Sequence, residues 1–405
     1  MRTFLSQIIL SGFMALACAP LPASADAQQA EATSFSLAQA NNGFGFKLLR
    51  ELAKAQPGKN ICVSPFSLAS VLQIVRNGAA SETKNELDEV LGLRGLAPTN
   101  LANSYAGLTE SLRSQSTNCV LEIANAIWFA PNIRLNPPFE SLNKQFYGAQ
   151  IGPLDFTDPR AAGMVNSRVS DKTHGRIPQL FQGALPGSTA ALIANTAYFK
   201  GKWTTPFDPA KTRERAFHIT SLKDKPVRMM ENSAHFLYYA DSEAQAARLP
   251  YSDERVGMFV LLPAKDSSAT RLLEHLTAAK WTEYSSTKLQ KTKGHIILPR
   301  LNLDYQAELK QSLTGLGIHH AFTRGADFSG VTANGELFID QAIQKVAVEV
   351  NEEGTTAAAA SAIRMTPTAV EMQSFEMILD RPFLFAICDR ETQTILFLGI
   401  VQDPT

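Results

Sequence analysis

The amino-acid sequence predicts an α+β fold in a single domain, and three observations support that prediction. Helix patterns are frequent before residue 181, and apolar strand patterns recur from residue 122 to the C-terminus. No Pro/Ser-rich linker and no run of like charge divides the chain. The length of 405 residues alone would allow two domains. Because the sequence shows no linker between them, we predict a single domain.

The first 25 residues predict a signal peptide. An apolar run over 4–17 is followed by Ala23-Ser24-Ala25, a small-residue cleavage site. The run is shorter than the roughly 20 residues that a membrane span needs, so we expect an exported protein without a transmembrane anchor. Cys18 leaves a lipid anchor as the alternative. After the signal peptide, we expect residues 26–40 to form a loose N-terminal leader.

The composition excludes some classes of partner. Lys and Arg balance Asp and Glu at 38 each, so no strong charge indicates nucleic acid or a membrane surface. Three cysteines remain after the signal peptide, Cys62, Cys119 and Cys388, and each lies in an apolar segment. An odd number of widely spaced cysteines indicates buried free thiols. We expect no metal and no cofactor.

Helices are predicted in order along the chain. Apolar spacing indicates the first over 42–50. A short strand then leads into Ser64, a typical N-cap residue, with Pro65 at the first helical position. A further helix is capped by Ser81 and ends at Gly92, and another lies within 165–180.

Strands account for most of the remaining apolar segments. Their patterns recur over 122–129, 191–207, 249–251, 259–263 and 295–301, and the C-terminal segments 375–387 and 394–401 predict a buried hairpin.

Motifs for catalysis are missing. Ser81-x-x-Lys84 matches the start of a serine acyl-transferase motif, but the same spacing recurs at Ser141-x-x-Lys144, and no K-T-G or S-D-N accompanies either. The chain contains no G-x-S-x-G, no H-E-x-x-H and no paired C-x-x-C. We therefore predict that the protein is not an enzyme and that Lys84 is solvated.

The stretch from residue 346 to residue 362 is the most informative. Val346, Val348 and Val350 alternate with smaller or polar residues, as in a strand with one buried face, and Glu352-Glu353-Gly354 interrupts it. Only small residues follow, over 355–362. An alanine run favours a helix. If this segment became a strand, one face would carry only small side chains that fit between packed neighbours: Thr355, Ala357, Ala359 and Ser361.

This stretch resembles the hinge of inhibitory serpins, the serine protease inhibitor family, and further blocks extend the resemblance from about Asn41 to the C-terminus. It implies the serpin fold over 41–405, with three β-sheets, eight or nine helices and an exposed reactive-centre loop over about 352–374. The implied hinge comprises Glu352, Glu353, Gly354, Thr355, Thr356, Ala357, Ala358, Ala359 and Ala360.

The resemblance also implies a region where the main sheet opens. Ser64 and Ser67 would lie beneath its centre, Asn195 at the opening and Trp203 at the top of the sheet, where loop entry begins. Arg300 would pair with Glu352; a partly exposed pair of this kind is worth at most about 1 kcal/mol. Gln344 stands where serpins commonly have a histidine. We therefore expect its hydrogen bonds to survive without a histidine-driven pH switch.

The mechanism implied is suicide-substrate inhibition of serine proteases by a metastable monomer. The protease would form an acyl-enzyme, and the cleaved loop would insert into the main sheet and trap it. The reactive bond is predicted between Thr368 and Ala369; the alternatives are the Ala369-Val370 bond and a bond at Arg364 or Met365. Thr or Ala before the bond favours elastase-like or subtilisin-like targets. The alternative function is that of a non-inhibitory serpin, a binding or chaperone-like protein.

Overall fold

The computed structural model describes residues 25–94, 98–113, 118–252, 254–333, 336–354 and 374–404. Within these ranges it contains nine α-helices: α1 (Ala25–Ala55), α2 (Pro65–Gly78), α3 (Ser81–Val90), α4 (Pro98–Arg113), α5 (Pro137–Tyr147), α6 (Ala161–Lys172), α7 (Ala269–His275), α8 (Ala278–Thr282) and α9 (Lys310–Leu316). This number agrees with the eight or nine helices that the resemblance implied. None of these helices is long and apolar enough to cross a membrane.

Fourteen strands are formed by the described residues. They are β1 (Ile61–Val63), β2 (Cys119–Phe129), β3 (Gln150–Pro153), β4 (Ala191–Gly201), β5 (Arg213–Thr220), β6 (Lys223–Ala240), β7 (Ala244–Pro250), β8 (Val256–Pro263), β9 (Gln290–Pro299), β10 (Leu301–Glu308), β11 (Gln341–Val350), β12 (Ser374–Ile378), β13 (Phe383–Asp389) and β14 (Ile395–Val401).

The strands form the predicted three sheets, two of which are joined. The five-stranded sheet has the order β10-β11-β4-β2-β3. The other nine strands form two groups that are joined into one continuous sheet. The long β6 joins them, because it pairs with β9 over Met229–Tyr238 and with β7 over Leu237–Ala240. The first group contains β1, β14, β13, β8 and β7, and the second contains β5, β6, β9 and β12. β13 and β14 pair as the predicted buried hairpin.

The two faces of the five-stranded sheet pack differently. Val346, Val348 and Val350 of β11 belong to the main core, which lies between α2 and this face of the sheet. Ile343 of β11 points to the other face and joins a smaller apolar cluster with Val165 of α6. The alternation predicted for β11 is therefore present, with a core on each face of the sheet.

Residues 26–40 are not the loose leader that was predicted. They belong to α1, and Leu37 and Ala38 are fully buried. The polar Asn41 and Asn42 interrupt the apolar pattern in the sequence, yet both are buried, and the side-chain carbonyl of Asn42 accepts a hydrogen bond from the Ile395 amide at 2.9 Å. The helix therefore begins well before its apolar pattern becomes visible.

The prediction for Ser81 was also wrong. Ala80 occupies the N-cap of α3, and Ser81 is the first helical residue, with a φ of 49°. Its hydroxyl donates to the Asp327 carboxylate at 2.7 Å instead of capping the helix. Lys84 is half-buried and not fully solvated. Cys62, Cys119 and Cys388 are buried and form no disulfide among the described residues, as predicted.

Candidate functional site

The centre of the five-stranded sheet is a pair of parallel strands. β11 and β4 pair from Gln341 opposite Leu192 to Val348 opposite Phe199. Their carboxyl ends therefore lie side by side at one edge of the sheet. The chain leaves β11 at this edge and enters the predicted hinge, so the hinge begins next to the end of β4.

The hinge begins with a tight reversal of the chain. Asn351 and Gly354 exchange two backbone hydrogen bonds, at 2.8 and 3.2 Å, and Glu352 and Glu353 form the turn between them. Gly354 also forms an antiparallel bridge with Lys202, directly after β4. It therefore lies between the ends of the two parallel strands, in an orientation antiparallel to both.

Gly354 is the residue type that this position requires. Its φ is 129°, a conformation that L side chains rarely adopt. A Cβ atom at this position would lie 2.1 Å from the Gly201 carbonyl oxygen and 2.6 Å from the Lys202 Cα. Both neighbours are backbone atoms of β4 and its continuation, so they have little freedom to move aside. Any side chain here would push the hinge away from β4.

Glu352 anchors the turn through its carboxylate. The Arg300 guanidinium donates to Oε1 from Nε at 2.9 Å and from Nη2 at 2.6 Å, so the predicted ion pair is present. The Thr212 hydroxyl donates to the same oxygen. Glu352 is only 5% exposed, whereas the Arg300 side chain is 44% exposed, so the pair is partly exposed, as predicted. Burial raises the pKa of the Glu352 carboxyl, but the hydrogen bonds from Arg300 and Thr212 outweigh it and lower the pKa overall.

Trp203 holds the turn from the β4 side. Its indole Nε1 donates to the Asn351 carbonyl at 2.9 Å, and its backbone amide donates to the Glu353 carbonyl at 3.0 Å. The indole ring stacks on Tyr251 with a centroid distance of 4.5 Å and an interplanar angle of 8°. Trp203 therefore lies at the end of the sheet where the resemblance implied it, in contact with the hinge.

A buried hydrogen-bond network crosses the parallel pair near its middle. The Gln344 side chain accepts from the Ser64 amide at 3.1 Å and donates to the Ser64 carbonyl at 3.1 Å and to the Asn195 side-chain carbonyl at 2.5 Å. The Asn195 amide donates to the Ser67 hydroxyl at 2.6 Å and to the Asn125 side-chain carbonyl at 2.6 Å. Gln344 thus uses its amide as donor and acceptor where the resemblance expects a histidine.

Ser64 occupies the N-cap position of α2, as predicted, but its hydroxyl does not cap the helix. The hydroxyl donates to the Leu396 carbonyl at 2.6 Å, which connects the helix start to β14. Its backbone groups are the ones that bind Gln344. The sequence therefore predicted the position of Ser64 but not the partner of its side chain.

Two of the site's residues were missed by sequence reasoning. Asn125 joins the buried network through Asn195 and donates to the Ser70 hydroxyl at 2.6 Å. Asn125 is the one side-chain amide in the apolar strand 122–129, and this feature of the sequence could have indicated a buried polar contact. Thr212, which contacts Glu352, follows a short 3-10 turn and carries no sequence signal of that contact. The hinge residues after Gly354 and the reactive bond predicted at Thr368-Ala369, with its alternatives, lie outside the described residues.

The Gln344 network gives a stability prediction. Gln344→Leu would leave the Ser64 amide and the Asn195 carbonyl buried without these hydrogen bonds, at a cost of about 1–3 kcal/mol for each group. We expect a lower midpoint of urea unfolding, measured by circular dichroism. Gln344→His should remain close to the wild type at pH 8 and lose stability below pH 6, because a protonated imidazole has no acceptor for the Ser64 amide.

The matched control is Lys345→Leu, the adjacent residue on the opposite face of β11. Its ammonium pairs with the exposed Asp304 carboxylate at 3.2 Å, a contact worth at most about 1 kcal/mol. A loss for Gln344→Leu no larger than for Lys345→Leu would contradict the role of the network in stability.

The Glu352 anchor gives a pH prediction. Because the pKa of Glu352 is lowered in the anchored hinge, anchoring is strongest above the ordinary carboxylate pKa and is lost as the pH falls through the lowered value. Arg300→Met removes two charge-assisted hydrogen bonds. We expect a synthetic peptide of sequence 355–366 to bind roughly tenfold faster to this variant at pH 7, followed by a native-gel shift. The pH at which binding accelerates should be higher in the variant than in the wild type.

Arg271→Met serves as the control for the loss of an exposed arginine, because Arg271 forms no ion pair with any residue that the structure describes. Equal peptide binding rates for the two variants at pH 7 would show that the Arg300–Glu352 pair does not restrain the hinge.

The fold and the anchored hinge define a class of protein in which one segment begins between the ends of two parallel strands of its own main sheet. Comparison with known proteins identifies that class. The protein-family model described as "Serpin (serine protease inhibitor)" matches residues 39–404. The chain belongs to the serpin family.

Relatives of known sequence and structure agree with this assignment. Iripin-1 of Ixodes ricinus is 33% identical over 369 residues, which cover 90% of this chain and 93% of Iripin-1. The crystal structure of mouse protein-Z dependent protease inhibitor superposes with a TM-score of 0.84 at 25% identity, covering 93% of this chain and 100% of that one. Human thyroxine-binding globulin gives a TM-score of 0.85 at 27% identity, covering 92% and 100%.

Proposed function

We propose that this serpin is a suicide-substrate inhibitor of elastase-like or subtilisin-like serine proteases, exported and acting as a metastable monomer. In this proposal residues 1–25 are removed as a signal peptide, the serpin domain extends over 41–405, and cleavage between Thr368 and Ala369 releases the loop. The single observation that carries the proposal is the antiparallel bridge of Gly354 to Lys202, at the entrance between β11 and β4.

The register of that bridge supports insertion of the hinge between the two strands. Continued from Gly354 opposite Lys202, an antiparallel strand would bring Ser361 opposite Asn195. Continued from Gly354 opposite Asn351, it would bring Ser361 opposite Gln344. Asn195 and Gln344 are already paired with each other in the uninserted sheet. A strand inserted between β11 and β4 would therefore pair with both of them in a single register.

The same register explains why the hinge residues are small. Thr355, Ala357 and Ala359 would lie opposite Val350, Val348 and Val346, and opposite side chains of antiparallel neighbours share one face of a sheet. That face is the main core, where the three valines are at most 1% exposed. An inserted strand must therefore present small side chains at these positions, and Ser361 would add its hydroxyl to the Gln344–Asn195 network.

Insertion would supply the energy of the trap. About ten new backbone hydrogen bonds at roughly 0.5–1.5 kcal/mol each give on the order of 10 kcal/mol. This is comparable with the whole stability of an ordinary domain, so the uninserted form would be metastable. A protease dragged along by its acyl bond would lose its catalytic geometry before deacylation.

The experiment that tests the proposal mixes the mature protein with elastase, subtilisin and trypsin. We expect a complex with elastase or subtilisin that survives a denaturing gel, and a released C-terminal peptide whose mass begins at Ala369. Clean cleavage of the loop with active protease remaining would overturn the proposal and favour a non-inhibitory binding protein.

A further inference from the structure

One sheet face beside the end of the reactive loop carries an excess of positive charge. Lys291 and Lys293 of β9 lie on the same face of the sheet as His235 of β6, because Lys293 is directly opposite His235 in the register and side chains of one strand alternate between faces. All three side chains are exposed. We call the surface around Lys291 and Lys293 the cationic face.

The two lysines of the cationic face are not neutralised by ion pairs within the described chain. Neither Lys291 nor Lys293 forms an ion pair with a described residue, whereas Arg215 and Glu231, farther along this sheet, pair at 2.7 Å. The nearest acidic residue in the register of this face is the exposed Glu376, opposite His295. Lys291 lies opposite Leu237 and Lys293 lies opposite His235, so neither lysine faces a carboxylate across β6.

The cationic face lies within the area that a docked protease would cover. Lys293 is directly opposite Ser374, the first residue of β12, in parallel register. From Ala369 to Ser374 the chain spans five residues, at most about 18 Å when fully extended. A protein–protein interface of ordinary size covers about 800 Å² on each partner, a patch roughly 30 Å across. A protease bound at the proposed bond therefore comes within reach of Lys293.

We propose that the cationic face is a docking site for an acidic surface at the rim of the target protease's active-site cleft. The proposal rests on the proposed inhibitory function and adds a property of its partner. The net formal charge of the whole chain is zero, so steering depends on local charge. Two unpaired lysines suffice to accelerate association, but they provide few contacts for a soluble polyanion, whose affinity depends on the number of cations engaged.

The test uses Lys291→Glu/Lys293→Glu and, as matched control, Lys59→Glu/Lys265→Glu. The control lysines are also exposed and form no ion pair with a described residue, and they lie on turns outside the cationic face. The second-order rate constant of inhibition is measured against two subtilisin variants, one with an acidic and one with a basic cleft rim, at low and high salt. With the acidic rim at low salt, we expect the face variant to react about tenfold more slowly than the control, and the difference to disappear in high salt.

The remaining outcomes separate the possible failures. Equal rate constants for the face variant and the control would overturn the docking proposal. So would an effect of the same size on both subtilisins. A face variant that loses retention on a sulfated-polysaccharide column while its rate constants stay unchanged would assign the face to a soluble polyanion instead. If the wild-type protein forms no denaturation-resistant complex with either subtilisin, the proposed inhibitory function itself has failed.

Discussion

Thr355→Arg is expected to convert the proposed inhibitor into a substrate. In the register continued from Gly354, residue 355 is the first that must enter the main core, opposite Val350 and Gly201. An unpaired guanidinium buried there costs about 3 kcal/mol or more, which slows insertion roughly a hundredfold. Deacylation would then outpace trapping. The measurement is the number of inhibitor molecules consumed per protease inactivated, which should rise from near one to far above ten.

Thr356→Arg is the control that makes this test specific. In the same register residue 356 lies opposite Glu349 of β11 and Lys200 of β4, on the other face of the sheet, where Glu349 is exposed and Lys200 is half-buried. An arginine there would remain at the surface with a carboxylate beside it, so trapping should persist. Similar losses in both variants would attribute the effect to added charge in the hinge. A complex that still forms with Thr355→Arg would contradict insertion in the proposed register.

Sequence reasoning predicted those parts of the site that depend on local patterns. The alternation in β11 follows directly from its valines, and the position of Ser64 follows from the Ser-Pro pair at a helix start. The ion pair between Arg300 and Glu352 was predicted from a resemblance that extends from about Asn41 to the C-terminus, and the structure contains it. Periodicity alone could not have paired two residues 52 positions apart.

The contacts that the sequence did not predict depend on residues brought together by the tertiary fold. Thr212 contacts Glu352 because the chain returns to the sheet after β4, and no local pattern encodes that return. The early start of α1 was missed for a related reason. The sequence pattern alone predicts that the polar Asn42 is exposed to solvent, but in the fold its side-chain carbonyl accepts a hydrogen bond from the Ile395 amide. Polar residues with buried partners are the cases in which pattern reading fails.

The start of the hinge combines both kinds of information. The small residues after Gly354 are visible in the sequence, but only the structure gives the two pairings of Gly354, with Asn351 and with Lys202. When either pairing is continued along the chain, Ser361 falls opposite Gln344 or Asn195. The small residues of the hinge can therefore be aligned with individual residues of β11 and β4 in a single register. That register decides which hinge side chains would be buried and which would be exposed.

The position of the reactive bond can be tested by changing the primary residue of the loop. A trypsin-like primary pocket has a carboxylate at its base and therefore requires Arg or Lys before the cleaved bond. Thr368 and Ala369 suit a small apolar pocket instead. An arginine supplied at the correct position should form an ion pair with the pocket carboxylate, worth several kcal/mol, whereas the same arginine one position away would not reach it.

Thr368→Arg is therefore expected to redirect inhibition towards trypsin-like proteases. We expect the second-order rate constant with trypsin to rise by a factor of about a hundred or more and that with elastase to fall by a similar factor. The released peptide should still begin at Ala369 by mass. Ala369→Arg is the matched control: a gain with trypsin there, and none with Thr368→Arg, would move the bond to Ala369-Val370. Trypsin inhibition that disappears with Arg364→Ala would assign the bond to Arg364 instead.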